Sequence, residues 1–347
     1  MSPRESPLVQ LFLVRFREMT REPGVLFWVF GFPILLAVAL GVAFKNRPPQ
    51  RQVVAIVRGE GDVGAQAAID AIPEMRGEVG TEAESERRLR SGEAILIVAP
   101  GPEPRFTLDP TRPGSRFAEI AVRDALERAH GRADRLTVSE HVVDAPGQRY
   151  IDFLLPGLLG MNLMNGGVWG VGWALVLLRT RKLLKRFAAT PMRRSDLLLS
   201  FMLFRIVVSL LEAVCLVVFG ALAFQFVPRS VMACVNVAVL VTASALSFAG
   251  IGLLIASRAQ NSQTAAGLMN LVTLPMFLLS GVFFSAGNFP EWMQPVVRAL
   301  PLTALNDALR AVMLDGKPLS ALPHELAVLA AWGVLSFAAA LRIFRWT

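Results

Sequence analysis

Six long apolar runs constrain what this chain can fold into more than any other feature of its 347 residues. The first, residues 25–44, contains no charged side chain. At about 1.5 Å per residue, a helix of that length matches the roughly 30 Å hydrocarbon core of a bilayer. The other runs cover residues 153–178, 197–226, 231–257, 264–289 and 326–341. With 54% hydrophobic and 18% charged residues, the chain is predicted to be an α-helical polytopic membrane protein with six transmembrane helices.

The N-terminal segment, residues 1–24, is predicted to form a helix that lies in the membrane interface. Between residues 8 and 22, apolar side chains recur at helical spacing, and Arg and Glu residues cover the rest of the surface. An ordinary amphipathic helix packed on protein is the alternative. A cleaved signal peptide is a further alternative for the first apolar run, but that run exceeds the usual apolar region of about 7–15 residues. Transmembrane helix 1 is therefore expected at 25–44.

Residues 45–150 differ in character from the rest of the chain. They carry charges of both signs and no long apolar run, which indicates a water-soluble domain. Segments 52–57 and 94–98 resemble short buried strands, whereas 65–75 and 116–129 have helical spacing. This alternation predicts a small inserted α/β domain. Cys215 and Cys234 both lie in apolar runs, so no disulfide is expected in the domain.

Basic residues in the short connections predict the orientation. The longest such segment, residues 179–196, has seven basic side chains and one acid. With six spans it lies on the same side as the N-terminal segment, Arg258 and the C-terminal tail. Since cytoplasmic loops are enriched in Lys and Arg, both termini are predicted to be cytoplasmic and the 45–150 domain extracytoplasmic, in a bacterial plasma (inner) membrane. The net charge of +8 is thereby attributed to topology, and no nucleic-acid partner is expected.

The sequence lacks the motifs of a phosphate-binding loop and of a serine nucleophile elbow. The dipeptide Gly316-Lys317 is followed by Pro318 and lacks the upstream glycine of a phosphate-binding loop, and no Gly-x-Ser-x-Gly sequence occurs. His130, His141 and His324 are scattered, without metal-ligand spacing. The chain is therefore predicted not to be an enzyme, with no catalytic, cofactor-binding or metal-binding residues of its own.

Three segments carry a family resemblance. They are YIDFLLPGLL at 150–159, KLLKRFAATPMRRSD at 182–196 and the proline-punctuated stretch 280–310. Outer short helices are expected at 290–314, which overlaps the third segment. Together with the amphipathic start, they resemble the permease subunits of type-2 ATP-binding-cassette exporters, of the kind with a large extracytoplasmic domain between spans one and two. The resemblance extends over essentially the whole chain and is weakest in residues 45–150. Transmembrane helices 2–6 are expected within 151–347.

The resemblance implies a transport subunit that works with partners. Two permease subunits, as a homo- or heterodimer in membrane lipid, would form an export pathway driven by a separate cytoplasmic ATPase that binds ATP and Mg. The loop between spans two and three would dock on that ATPase, with a second contact near 258–264. The residues assigned to this coupling loop are Leu183, Leu184, Lys185, Arg186, Phe187, Thr190, Pro191, Met192, Arg193 and Arg194. Alternatively, the loop is only an orientation signal.

Polar residues within the apolar runs form a second set of candidates. They are Asn162, Asn165, Arg205, Glu212 and Asn270. Arg205 and Glu212 are seven residues apart and share one helix face. Arg205 is expected to extend to the membrane surface, whereas Glu212 has either a structural partner or a role in the pathway. The asparagines could line the pathway or form interhelical hydrogen bonds.

Two other functions remain open on the sequence. A membrane-anchored sensor or assembly factor would use the extracytoplasmic domain for binding and would not transport. A secondary transporter would usually contain repeated halves and broken spans, whereas this chain has a single large insertion.

Overall fold

A computed structural model describes most of the chain as two compact units. One unit comprises residues 1–45 and 144–347, and the other comprises residues 46–143. The residues described are 6–43, 51–101, 103–112, 114–132, 149–183, 194–228, 230–259 and 261–343.

Among the described residues, the larger unit contains six helices that are long and apolar enough to span a membrane, in agreement with the six apolar runs. They are α2 (Pro23–Ala43), α6 (Tyr150–Thr180), α7 (Arg194–Phe224), α8 (Val231–Arg258), α9 (Ser262–Leu279) and α12 (Pro323–Ile343). Helix α1 (Pro7–Arg21) precedes them and presents an apolar stripe. Helix α8 is the most buried of the six, so it forms the centre of the bundle.

Span five is shorter than predicted. The apolar run extends to residue 289, but α9 ends at Leu279 because the chain turns at Gly281, where φ is +68°. Such a backbone conformation strongly favours glycine. Two short helices follow before α12, namely α10 (Gln294–Ala299) and α11 (Pro301–Met313). Each carries a proline in its first turn, where the missing N–H is not needed.

Side-chain contacts show which helix ends lie together. At one end of the bundle, the Nη2 atom of Arg149 donates to the carbonyl of Phe224 at 2.9 Å, and the hydroxyl of Tyr150 donates to the carbonyl of Phe283 at 3.0 Å. At the other end, the Nη1 atom of Arg179 donates to the carbonyl of Ala256 at 2.7 Å. Helices α6, α7 and α8 therefore run alternately up and down.

Close backbone packing joins α6 to α8. A Cβ atom at Gly167 would lie 2.4 Å from the Cβ of Phe248, and one at Gly172 would lie 2.9 Å from the carbonyl of Gly252. Within α6, residues Gly166–Val171 form a π-helical turn. Small residues let the backbones of membrane helices approach this closely.

The smaller unit is an α/β fold built on a four-stranded sheet. The strands are β1 (Gln52–Val57), β2 (Met75–Gly80), β3 (Ala94–Ala99) and β4 (Arg105–Leu108), in the spatial order β2-β1-β3-β4. The first three strands are parallel, and β4 is antiparallel to β3. Helices α3 (Asp62–Asp70) and α5 (Ser115–Ala129) pack on one face, and α4 (Glu82–Ser91) packs on the other.

The prediction of a helix at 65–75 was wrong at its C-terminal end. Helix α3 ends at Asp70, and Met75 begins β2, an outer strand of the sheet. Gly77 in this strand has its N–H bonded to the Asp70 carboxylate at 2.8 Å, and its carbonyl accepts from the Gln66 amide at 3.2 Å. The side chains of Asp70 and Gln66 in α3 thus form hydrogen bonds with the N–H and the carbonyl of Gly77 in this edge strand.

Candidate functional site

Arg179 lies four residues before Leu183, the first residue assigned to the coupling loop, and contacts the connection between α8 and α9. Besides the bond to Ala256, its Nη1 atom lies 3.4 Å from the carbonyl of Ser257 and 3.3 Å from that of Ala259. The last carbonyls of a helix have no intrahelical donor, and a cation is favourable there. Arg179, which precedes the first segment predicted to contact an ATPase, therefore lies beside the start of the second at one end of the bundle.

Helix α1 packs against the first turns of α7, which follow the same loop. The guanidinium of Arg15 stands 3.3 Å from the ring centroid of Phe201, and the rings of Phe12 and Phe204 are 6.3 Å apart, edge to face. Burial lowers the pKa of Arg15 to about 10, an effect that the Glu18 carboxylate partly opposes. Arg15 is still charged at neutral pH, so the contact is a cation–π interaction.

Most of the predicted coupling loop lies outside the described residues. Leu183 is half-buried, and Arg194 begins α7. Leu184, Lys185, Arg186, Phe187, Thr190, Pro191, Met192 and Arg193 lie in the segment that is not described. Their role in docking remains a prediction.

Arg205 and Glu212 form an ion pair inside α7. The Nη1 and Nη2 atoms of Arg205 lie 3.0 and 2.9 Å from the two carboxylate oxygens of Glu212. The two residues are only 5% and 3% exposed, and Nη2 also donates to the carbonyl of Leu163 at 3.4 Å. The expectation that Arg205 extends to the membrane surface was wrong, because its guanidinium is held by the carboxylate two turns along the helix. Glu212 has a structural partner.

Gly166, the first residue of the π-helical turn in α6, makes room for this ion pair. A Cβ atom at Gly166 would lie 1.9 Å from the Nη1 atom of Arg205. In contrast, a Cβ atom at Gly170, in the same turn, would meet nothing within 4 Å. The guanidinium therefore occupies space that only glycine leaves open at residue 166.

The three asparagines differ in their surroundings. Asn162 donates to the carbonyl of Val29 at 3.1 Å, an interhelical bond between α6 and α2. Asn165 is half-buried and Asn270 is exposed, and neither makes a side-chain hydrogen bond with the residues that the structure describes. A role of the polar residues within the spans in a pathway stays a prediction.

Residues of the first and third resemblance segments pack on one another at the opposite end of the bundle. Asn306 in α11 donates to the carbonyl of Ser280 at 2.9 Å, and a Cβ atom at Gly160 would lie 2.0 Å from Asn306 Oδ1. The guanidinium of Arg310 stands 3.7 Å from the ring centroid of Phe153 and donates to the Phe153 carbonyl at 3.3 Å. The proline-glycine entry of α6 and the short helix α11 therefore form one packed unit.

Among the residues that the structure describes, no group of three or more His, Cys, Asp or Glu side chains is placed to hold an ion.

Most of the helical bundle lies within the part of the chain that matches a known protein family. A profile of the ABC-2 type transporter family matches residues 118–314, which include α6 to α11 and the segment 179–196. The chain belongs to the ABC-2 type transporter family. Proteins of this family are membrane components of transporters, and the six apolar helices among the described residues agree with a multi-pass membrane protein. Permeases of this family normally work with an ATPase subunit.

A curated relative adds a shorter match. Nodulation protein J of Rhizobium meliloti (strain 1021) is 32% identical over 92 residues, which are 26% of this chain and 35% of that protein. The match spans about a third of the relative's length.

Sequence reasoning missed several residues that organise the ABC-2 bundle. Arg15 and Arg179 were counted only as topology signals, and Arg310 was noted only as part of a motif. A basic residue within one turn of a span end is a signal that it can cap helix carbonyls, but the sequence does not show which helix Arg179 faces.

Proposed function

We propose that this ABC-2 permease is the membrane-spanning subunit of an ATP-driven exporter, powered by a separate cytoplasmic ATPase that binds ATP and Mg. The observation that carries the proposal is the contact of Arg179 with the carbonyls of Ala256, Ser257 and Ala259. It joins the start of the basic segment 179–196 to the connection between α8 and α9. An ATPase docked on either segment would move both.

The same end of the bundle supports a path for the motion. Segment 179–196 is followed by α7, whose Phe201 holds Arg15 of helix α1. The loop is thus connected at its start to α8 and at its end to α1. Closure of an ATPase dimer against this surface would shift α6, α7 and α8 together, since packed helices move as units between discrete arrangements.

We propose that the export pathway forms between two permease subunits. Asn270 is exposed near the middle of α9, on a face that also exposes Gln263, Gly267 and Leu274. Polar groups facing hydrocarbon are costly, so a second subunit or a water-filled pathway is the favourable neighbour for this face.

The orientation belongs to the proposal as well. The end that carries Arg15, Arg179 and Arg258 is basic, which favours the cytoplasmic side in an inner membrane. The α/β unit would then be extracytoplasmic and both termini cytoplasmic.

The experiment compares ATPase binding and ATPase stimulation in proteoliposomes that contain the permease and its co-purified ATPase. The purified permease alone should hydrolyse no ATP. Replacing Leu184 and Phe187 by Asp should release the ATPase, because a charged group in a desolvated contact costs about 1–3 kcal/mol. Arg179→Gln should keep the ATPase bound but reduce its stimulation several-fold.

Arg181→Gln is the matched control for Arg179→Gln. It removes one positive charge from the same segment, and Arg181 is exposed with no ion pair or side-chain hydrogen bond in the described structure. If the two substitutions have equal effects, the segment 179–196 acts only as a topology signal. Full ATPase binding by the Leu184 and Phe187 double variant would reject the docking assignment.

A further inference from the structure

The α/β unit contains a cavity at the carboxyl ends of β1 and β3. From β1 the chain turns into α3 towards β2, whereas from β3 it turns into β4 on the other side of the sheet. Open α/β sheets bind ligands where neighbouring strands send their connections in opposite directions. The cavity has a volume of about 410 Å³, within the range of small-molecule sites.

Glycines in the loop after β1 and in the first turn of α3 line this cavity, where no side chain of their own covers the backbone. Gly61 has a φ of +87°, which accounts for glycine at that position. Gly64 lines the cavity, and no atom lies within 4 Å of the position that its Cβ would occupy. Neither packing nor backbone conformation therefore requires glycine at residue 64, and the space in front of it is open to a ligand.

The walls of the cavity are largely apolar, with two ionisable groups at its edge. Pro100, Pro104 and Leu126 form part of the wall. Glu60 also lines it, and its carboxylate makes no ion pair or hydrogen bond with any residue that the structure describes. His130 uses Nδ1 in a 2.7 Å contact with the carbonyl of Leu126. Among the residues that line the cavity, Glu60 is the one that carries a carboxylate and so suits a cation.

The loop has the Gly-x-Gly-x-x-Gly spacing of dinucleotide-binding folds, but its charge does not suit phosphate. Residues 59–64 read GEGDVG, so two carboxylates flank the start of α3. Asp62 is the first residue of that helix and already complements its positive end. A phosphate in the cavity would be repelled by the Glu60 carboxylate, whereas a cation would be attracted to it.

We propose that this cavity binds a small organic cation, with an ammonium group on Glu60 and an apolar body against Pro100, Pro104 and Leu126. The arrangement combines an uncompensated carboxylate with an apolar wall of suitable volume. The inference concerns the α/β unit by itself and does not depend on the exporter proposal or on the side of the membrane.

The test uses the full-length protein in detergent and ligand-observed saturation-transfer NMR. The probe is cyclohexylammonium, and cyclohexanecarboxylate is its counterpart of similar shape and opposite charge. The wild-type protein should bind the ammonium at least 10-fold more tightly than the carboxylate. Glu60→Gln should weaken ammonium binding at least 10-fold, and Gly64→Leu should abolish it by filling the cavity.

Two controls match these variants. Gly59→Ala adds a side chain in the same loop, where a Cβ meets nothing within 4 Å, but Gly59 does not line the cavity. Glu74→Gln removes an exposed carboxylate that precedes β2, at the opposite end of the sheet. Both should bind the probe like the wild type. No ammonium binding, equal binding by Gly64→Leu, unchanged binding by Glu60→Gln, or preference for the carboxylate would each overturn the proposal.

Discussion

The ion pair of Arg205 and Glu212 shows how a charge can be kept within a membrane helix. The carboxylate receives two hydrogen bonds from one guanidinium, which is the strongest geometry for such a pair. The sequence places the two residues on one helix face. It does not reveal where the guanidinium points, because that depends on the space left by Gly166 of a different helix.

Removing one member of the pair should destabilise the protein more than removing both. Glu212→Met leaves the Arg205 charge buried and unpaired, which costs about 3–5 kcal/mol, whereas Arg205→Met with Glu212→Met should recover most of that loss. The measurement is thermal unfolding of the purified permease in detergent, followed by size-exclusion chromatography. A double variant as unstable as the single one would show that the pair contributes more than mutual neutralisation.

At the scale of elements, the glycines of α6 and α8 determine how closely two spans approach. The glycine-rich run 153–178 predicts close packing, and the short distances from Gly167 and Gly172 to α8 agree with it. The π-helical turn was not predictable, because the same glycines are compatible with a regular helix. Strand β2 was also missed, since MRGEVG has neither alternation nor β-branched residues apart from one valine.

Substitutions at two glycines of the π-helical turn should have opposite outcomes. Gly166→Ala should destabilise the protein by about 1–3 kcal/mol, because its Cβ displaces the guanidinium of Arg205. Gly170→Ala should raise stability by about 0.5–1 kcal/mol, because its Cβ meets no atom and alanine loses less backbone entropy in a helix. Thermal unfolding measures both.

The double variant at Arg205 and Glu212 provides the control for this pair of substitutions. If the guanidinium is the obstacle, Gly166→Ala should lose most of its effect in that background. An unchanged effect would locate the cause elsewhere in the contact between α6 and α7.

At the scale of the molecule, the six spans were predictable because each needs only length and hydrophobicity. The end of span five at Leu279 was not, since apolar residues continue beyond the turn at Gly281. The contacts of Arg15 and Arg179 were also beyond reach, because each joins segments far apart in the chain.

Thiol labelling of intact cells tests the proposed orientation. With Cys215 and Cys234 replaced by alanine, Glu86→Cys, an exposed position in α4, should react with an impermeant maleimide from outside. Arg186→Cys should react only after the membrane is permeabilised, since positively charged loops stay in the cytoplasm. The reverse labelling pattern would invert the topology.

The hydrogen bonds of Gly77 have a consequence for self-association. An outer strand with free donors and acceptors is a template for a strand of another molecule, and such pairing leads to aggregation. In β2, the side chains of Asp70 and Gln66 occupy the donor and acceptor of Gly77 as a neighbouring strand would. At Gly77 the sheet therefore offers no unpaired backbone group to a strand of another molecule, and losing either side chain would leave one group of this outer strand open to such pairing.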